Sequence, residues 1–329
     1  MTSIKDVAKH AGVSVTTVSR VMNNRGYIGK ETRQKVENAM KELNYQPNEI
    51  ARSLLRNQSS IIGVIVPDLS HPLFSELINW IESYANDKNY KILVCNSLQN
   101  SEKELNYISM LKQNRVDGII MCSHSLNVEA YRNLSMPIVT FDRILSSSIP
   151  YVASDNYLGG EKATKHLIEQ GCKNLIHISG PLQYDLLPNR RSDAFQLTCL
   201  RSNINAKIIE GAHIKATFEE NWKFIDQHIA PYLKKYDGVF CSNDIMAYTL
   251  YVYASKMGVK VPDQLKVVGY DHHSFTRMLQ QPKLTTIAQP IDKIGKALCS
   301  TLIQHVESPE LPERENTVFD VELIKGDTT

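Results

Sequence analysis

From residue 61 onward the chain keeps one rhythm, in which short β-branched apolar runs alternate with amphipathic stretches of helical period. The runs are "IIGVIVPD", "YKILVCN", "DGIIMCS" and "PIVTFDR", followed by "NLIHISG", "DGVFCSND" and "LKVVGYD". A strand with one face in water alternates polar and apolar residues, and these do not. Continuous apolar strands separated by helices call for parallel sheets covered on both faces. The pattern also repeats: "VDGIIMCSHS" (116–125) parallels "YDGVFCSNDI" (236–245), and "PIVTFDR" (137–143) parallels "LKVVGYDH" (265–272). The economical reading is two α/β halves of the same topology, near 61–158 and 159–287. "LTTIAQPI" (284–291), a helix to about His305 and a last strand near 317–324 then cross back between them.

The first 60 residues follow a different period. In "IKDVAKHA", Ile4, Val7, Ala8 and Ala11 recur at i, i+3, i+4 and i+7, the signature of a one-sided helix. Gly12 ends it, and Ser14 is placed to cap a second helix through about Met22 that buries Val18, Val21 and Met22. A third, "KETRQKVENAMKELN", buries Val36, Met40 and Leu43 and stops before Pro47. "PNEIARSLLRNQSS" then offers a turn or two of helix capped by Asn48, too short to be stable alone, and a linker.

Charge separates the same two regions. Residues 1–60 hold ten Lys and Arg against five Asp and Glu, a net of +5, while the other 269 hold 27 against 30, a net of −3. A basic head on a mildly acidic body points to a polyanionic partner for the head. The six cysteines are scattered without a C-x-x-C pair, so they read as small buried hydrophobes of a reducing compartment. "MTSIKDVAKH" has no apolar leader and no run approaches 18 apolar residues. The expectation is a cytoplasmic protein with no membrane partner.

In open parallel α/β sheets, ligands bind beyond the carboxyl ends of the strands. Those ends carry Asp68 and Ser70, Ser123 and His124, and Asp142 and Arg143 in the first half. In the second they carry Asn243 and Asp244, then Asp271 and His272. Carboxylates, an amide and a fixed cation together suit a polyol, whose hydroxyls both donate and accept. Phe74, Tyr184 and Phe275 lie near these ends and supply an apolar wall. Any one of the polar residues is as readily a helix cap or turn residue; the set is not. Enzyme and metal signatures are lacking: there is no G-x-S-x-G, Walker A, H-E-x-x-H or G-x-G-x-x-G after the first strand, and His272 and His273 are adjacent rather than i, i+4. A scattered Ser/His/Asp triad stays open, because such triads share geometry and not order. The expectation is no enzyme, no cofactor and no metal.

The order of parts resembles the lac repressor (LacI/GalR) family. The N-terminal "IKDVAKHAGVSVTTVSRVMNNRGYIGKETRQKVENAMKELNYQPNEIARSL" is similar to that family's DNA-binding module, and "SNDIMA", "VVGYD" and "LTTIAQP" mark its core. The implied fold is an N-terminal all-α helix-turn-helix head plus an α/β periplasmic-binding-protein-like core of two doubly wound parallel-sheet subdomains. The head takes 1–46 and a hinge helix and linker 47–60. The core N-subdomain takes 61–158 with 288–318, and the C-subdomain 159–287 with 319–329.

The resemblance implies a homodimer, dimeric rather than tetrameric because no acidic tail follows "ELIKGDTT", on near-palindromic double-stranded operator DNA. Val15, Thr16 and Arg20 take the positions of its base readers, with Thr17, Ser19, Asn23 and Tyr45 toward phosphates. Asn48, Ala51, Arg52, Leu54 and Leu55 form its minor-groove hinge, with Leu54 the wedge. The effector set is Phe74, Asp142, Arg143, Tyr184, Arg191, Asn243, Asp271 and Gln289, with Arg190 a close competitor for the clamp. "FDR" and "SDN" (154–156) look like sugar-responsive members, sucrose-operon repressors especially. The implied function is repression of a carbohydrate-utilisation operon, relieved when a small carbohydrate fills the cleft. Alternatives within the family are a corepressor such as a purine, or a phosphorylated carrier protein as partner. From another class they are a solute-binding module or an enzyme on the same α/β body.

Overall fold

The computed structural model describes residues 2–46, 58–123, 131, 134–183, 186–211, 217–308 and 315–329. It separates into two compact units, Met1–Ser59 and Ser60–Thr329.

In the first unit, α1 (Ile4–Ala11) starts on Ser3 in a capping box with Asp6 and ends at Gly12, whose φ of 66° is left-handed. Such a φ suits glycine, and it turns the chain sharply into the next helix. There α2 (Val15–Met22) is capped by Ser14, whose side chain accepts from the Thr17 N–H. The longer α3 (Lys30–Glu42) closes the unit. Six residues, Val7, Ala8, Val18, Val21, Val36 and Ala39, form the buried centre. Met22, Met40 and Leu43, read from the sequence as core, pack only partly buried around it, and Ala39 takes the more central place. An alanine fits where helices approach too closely for a longer side chain.

The second unit contains two six-stranded sheets. The first half contributes β1 (Ile61–Val66), β2 (Lys91–Asn96), β3 (Gly118–Met121), β4 (Ile138–Phe141) and β5 (Tyr151–Ser154). The second contributes β6 (Asn174–Ser179), β7 (Asn205–Glu210), β8 (Gly238–Cys241), β9 (Lys266–Asp271) and β10 (Thr285–Ala288). After these come β11 (Thr317–Phe319) and β12 (Glu322–Ile324). The strand orders are β2-β1-β3-β4-β5-β11 and β7-β6-β8-β9-β10-β12, the same winding twice. The repeat seen in the sequence is this duplication: β3 corresponds to β8 and β4 to β9. All ladders are parallel except β10 with β12.

The sequence reading missed β5 and β7 and fused the last two strands. β5, YVAS, carries a single β-branched apolar residue, and β7 is an edge strand with no fully buried position. The segment 317–324 is two strands with a break at 320–321. Phe319, assigned above to the second subdomain, pairs with Ser154 in the first sheet, while Leu323 pairs with Ile287 in the second.

The helices that matter for the site are α4 (Pro72–Asp87), α5 (Ser101–Gln113), α6 (Asn156–Glu169), α7 (Arg190–Arg201), α8 (Phe218–Phe224), α9 (Asp244–Lys256), α10 (Ser274–Met278) and α11 (Ile291–Glu307). Although α11 follows a strand of the second sheet, Ile294, Leu298 and Leu302 bury against Leu77, Ile81 and Val139 of the first half. The chain thus crosses between halves after β5, after β10 and after β11, and the core of the first half is completed by a helix that follows the second sheet's strands. All six cysteines are buried and unpaired. Among the described residues no helix is long and apolar enough to cross a membrane.

Candidate functional site

On the head, α2 separates two kinds of side chain. Val18 and Val21 face inward, while Thr16 and Arg20 are exposed and Val15 is 40% exposed. Among the described residues the Arg20 guanidinium makes no hydrogen bond or ion pair. Thr17 is half-buried, its hydroxyl 2.9 Å from that of Ser14. Asn23 donates to the Ser19 carbonyl at 2.9 Å and reaches its hydroxyl at 3.4 Å. Tyr45 packs against the head core with its ring half-buried. Asn48, Ala51, Arg52, Leu54 and Leu55 lie outside the described residues.

The second unit has a cleft between its halves, at the carboxyl ends of the strands. Phe74 and Phe141 from the first half give it an apolar wall, and Asp142, Arg191, Asn243 and Asp271 give it polar groups. Asp142 follows β4 with φ 55°, and Asp271 ends β9 with φ 101°. Left-handed backbone at a residue with a β-carbon costs about 1–3 kcal/mol and persists only where its surroundings hold it. The two carboxylates occupy equivalent places in the repeat, and each half places a positive-φ aspartate there.

Arg191 sits at the start of α7 and is 7% exposed. Its Nε donates to Asn156 Oδ1 at 2.7 Å and its Nη1 to the Ser242 carbonyl at 3.0 Å, while its guanidinium lies 3.5 Å from the Tyr270 ring centre. Nη2 is 4.0 Å from Asp142 Oδ2, an ion pair too long for a hydrogen bond. Asn156 also donates to Asp142 Oδ1 at 2.8 Å and so ties the pair together. Gly160 on α6 lets α7 come this close: a β-carbon there would lie 2.5 Å from the Arg191 carbonyl oxygen. Arg190, by contrast, is exposed and pairs with Asp193 on its own helix.

Asp271 accepts from Gln289 Nε2 at 2.6 Å, and Gln289 Oε1 accepts from Ser154 at 2.6 Å, a chain that joins the two sheets behind the cleft. Its other oxygen is 3.0 Å from His273 Nε2. Burial alone would raise the Asp271 carboxyl, but His273 and then Arg191 more than reverse this and hold it below its ordinary value. Asp142 has only the looser Arg191 contact and Asn156 against burial, and is pushed up to about 6. Burial brings His71 down to about 4, so its imidazole is neutral.

Several sequence expectations change here. Arg143 is not among the residues lining the cleft; its Nη1 donates to the Ser123 carbonyl at 3.3 Å and its charge is set against Glu104 and Tyr131. The Thr140 hydroxyl donates to the Arg143 carbonyl and closes the turn after β4. Asp68 binds its own turn through Ser70, and Asp244 is a fully buried anchor taken up by Thr286, Thr276 and the His273 N–H. Phe275 stacks on His273 rather than lining the cleft. Asn243 caps α9 and lines the cleft as well. Tyr184 and His124 lie outside the described residues. The sequence reading missed Phe141, Asn156, Tyr270, His71 and His273. Asn156 was within the quoted "SDN", but nothing in a sequence shows that it bridges Asp142 and Arg191. His71, Asp271 and His273 also bring three metal-ligating side chains together.

Comparison with known proteins agrees with this architecture. Residues 3–48 match the profile of the bacterial regulatory proteins of the lacI family, and residues 164–329 that of the periplasmic binding protein-like domain. The chain is 40% identical to a sucrose operon repressor of Pediococcus pentosaceus over 99% of its own length and 98% of the relative's. It is 39% identical to a ribose operon repressor of Halalkalibacterium halodurans, covering 94% and 92%. The crystal structure of the lac repressor dimer bound to operator and the anti-inducer ONPF superposes with a TM-score of 0.85 at 26% identity, over 100% and 99% of the two chains. The chain belongs to the lacI family of bacterial regulatory proteins.

Proposed function

We propose that the chain is a cytoplasmic, homodimeric repressor of a carbohydrate-utilisation operon, released from a near-palindromic operator when a small sugar binds the cleft. Its working units are the 1–46 head, the 47–60 hinge and the two core subdomains. The observation that carries the sugar reading is the pair Asp142 and Arg191. They are buried in an open cleft and held 4.0 Å apart, with donors and acceptors left for a hydroxyl between them. Asn243 and Asp271 extend that polar row, and Phe74 and Phe141 offer an apolar face to the sugar ring. Relatives named as sucrose and ribose operon repressors support the ligand class, and the operator-bound lac repressor supports the DNA. On the head, Val15, Thr16 and Arg20 read bases, while Thr17, Ser19, Asn23 and Tyr45 hold phosphates. Sugar and DNA oppose each other by one coupling free energy, so DNA weakens sugar binding as much as sugar weakens DNA binding.

A thermal-shift panel of mono- and disaccharides, sugar phosphates and purines tests this, with operator affinity followed by fluorescence anisotropy for every hit. The expected result is a sugar that raises the melting temperature of the free protein and lowers operator affinity. Stabilisation by purines alone, or a ligand that tightens operator binding, overturns it.

A further inference from the structure

His71 caps the start of α4, where the first half of the core meets the cleft, and it is 3% exposed. Among the described residues neither of its ring nitrogens has a hydrogen-bond partner. A buried imidazole with two unanswered polar atoms is costly to keep, which makes it a candidate for a ligand rather than for packing. Opposite it stand Asp271 and His273, both buried, from the end of β9 in the second half. The rings of His71 and His273 are 5.4 Å apart and nearly perpendicular. One ligand atom from each of the three side chains lies within 4.8 Å of the other two.

We propose that His71, Asp271 and His273 form a binding site for a divalent transition metal of the zinc class, built from both halves of the core. Two imidazoles and one carboxylate are the donors that such ions prefer, whereas magnesium and calcium select oxygen ligands. Three protein ligands leave a coordination position for water, and here it opens on the cleft, which His71 and Asp271 both line. Gln289 holds Asp271 through its other oxygen, an outer partner of the kind that orients metal ligands. His71 comes from one half and the other two ligands from the second, so a bound ion ties the halves together on this side of the cleft. The adjacent His272 and His273 hid the site in the sequence, because the second histidine is His71 and not His272.

The test uses full-length protein stripped with a chelator and then titrated with Co²⁺, with neither sugar nor DNA present. Its outcome is therefore separate from that of the sugar reading. Visible d–d absorption should grow and saturate at one ion per chain, and Zn²⁺ but not Mg²⁺ should raise the melting temperature. His71→Ala and the closer mimic His71→Gln should each lose the absorption and the Zn²⁺-dependent shift. Failure of the wild-type protein to give a saturating band overturns the proposal. So does a band that survives in both His71 variants and in His273→Gln.

Discussion

In the head, Thr16 and Arg20 stand exposed on one short helix, four residues apart, and Arg20 spends its charge on no described neighbour. In the core, Arg191, Asp142 and Asp271 are buried, come from three segments of two half-domains, and are tied to Asn156, Ser242, Gln289 and His273. The first arrangement suits a partner that brings its own rigid surface and charge. The second suits a small neutral ligand that must replace water on every side. A reader of DNA can leave its side chains unbonded in solvent at little cost, whereas a buried clamp has to be preorganised by its neighbours. The two sites therefore differ in what a substitution does. In the head it removes a contact, and in the core it also strands the groups left behind.

That difference makes Arg191→Ala the most damaging of the informative changes. Asn156 Oδ1 and the Ser242 carbonyl lose their donor, and the buried Asp142 loses its opposite charge, a loss of about 3–5 kcal/mol for a broken buried pair. Sugar affinity by calorimetry should fall about 100-fold or more, while operator affinity by anisotropy stays near wild type. An Arg191→Ala protein that still responds to sugar would break the assignment of the clamp. The stability contrast can be drawn with one substitution made twice. Val18 in the head and Val239 in the core are both fully buried, and Val→Ala at either should cost about 1–3 kcal/mol. A single core of the head's size rarely supplies more than about 3–5 kcal/mol, so Val18→Ala should melt the head locally. Val239→Ala should lower the core's melting temperature by only about 2–4 °C per kcal/mol. Hydrogen exchange separates the two, and equal protection of the head in both variants would show that the head draws stability from elsewhere.

The same contrast explains what the sequence made legible. Helical phase fixes side-chain direction over eight residues, so Ser14 as cap and Val18 and Val21 as core already left Thr16 and Arg20 outside. Parallel strands announced the two sheets, and strand ends located Asp142, Asn243 and Asp271 in one cleft. Direction after a strand end is another matter. Asp142 and Arg143 are neighbours, yet one lines the cleft and the other binds the Ser123 carbonyl, because the left-handed backbone of Asp142 itself redirects the chain. Asn156, Tyr270 and His71 acquire their roles only when α6, β9 and α4 are packed together, which no local pattern encodes. β7 and the 317–324 break escaped for a related reason: edge strands and three-residue strands carry too little burial to leave a period.

Arg20→Ala should cost operator binding about 1–3 kcal/mol and relax preference at one base pair in each half-site, as expected for loss of a bidentate contact to guanine. Sugar affinity of the free protein should not change. Competition between operator and variants mutated at single positions measures this, and a uniform loss across all sequences would move Arg20 from base reading to phosphate contact.

The smallest effect concerns the looser of the two carboxylate contacts. Burial pushes the Asp142 carboxyl up to about 6, with Arg191 and Asn156 opposing it. Between about pH 4 and pH 6 the folded chain therefore holds a proton that the unfolded chain has released, and the slope of stability with pH is negative across that window. The native state is favoured by this group at low pH, and that contribution is lost as the pH rises through about 6. Asp142→Asn cannot ionise, so its melting curves should lack this component and fall less steeply than wild type from pH 4 to pH 6. The comparison is made on the difference between the two proteins, which cancels the other titrating groups. An Asp142→Asn profile parallel to wild type would mean that Arg191 keeps Asp142 ionised throughout. A ligand hydroxyl would then meet a carboxylate that can only accept, with Arg191 4.0 Å away as the donor beside it.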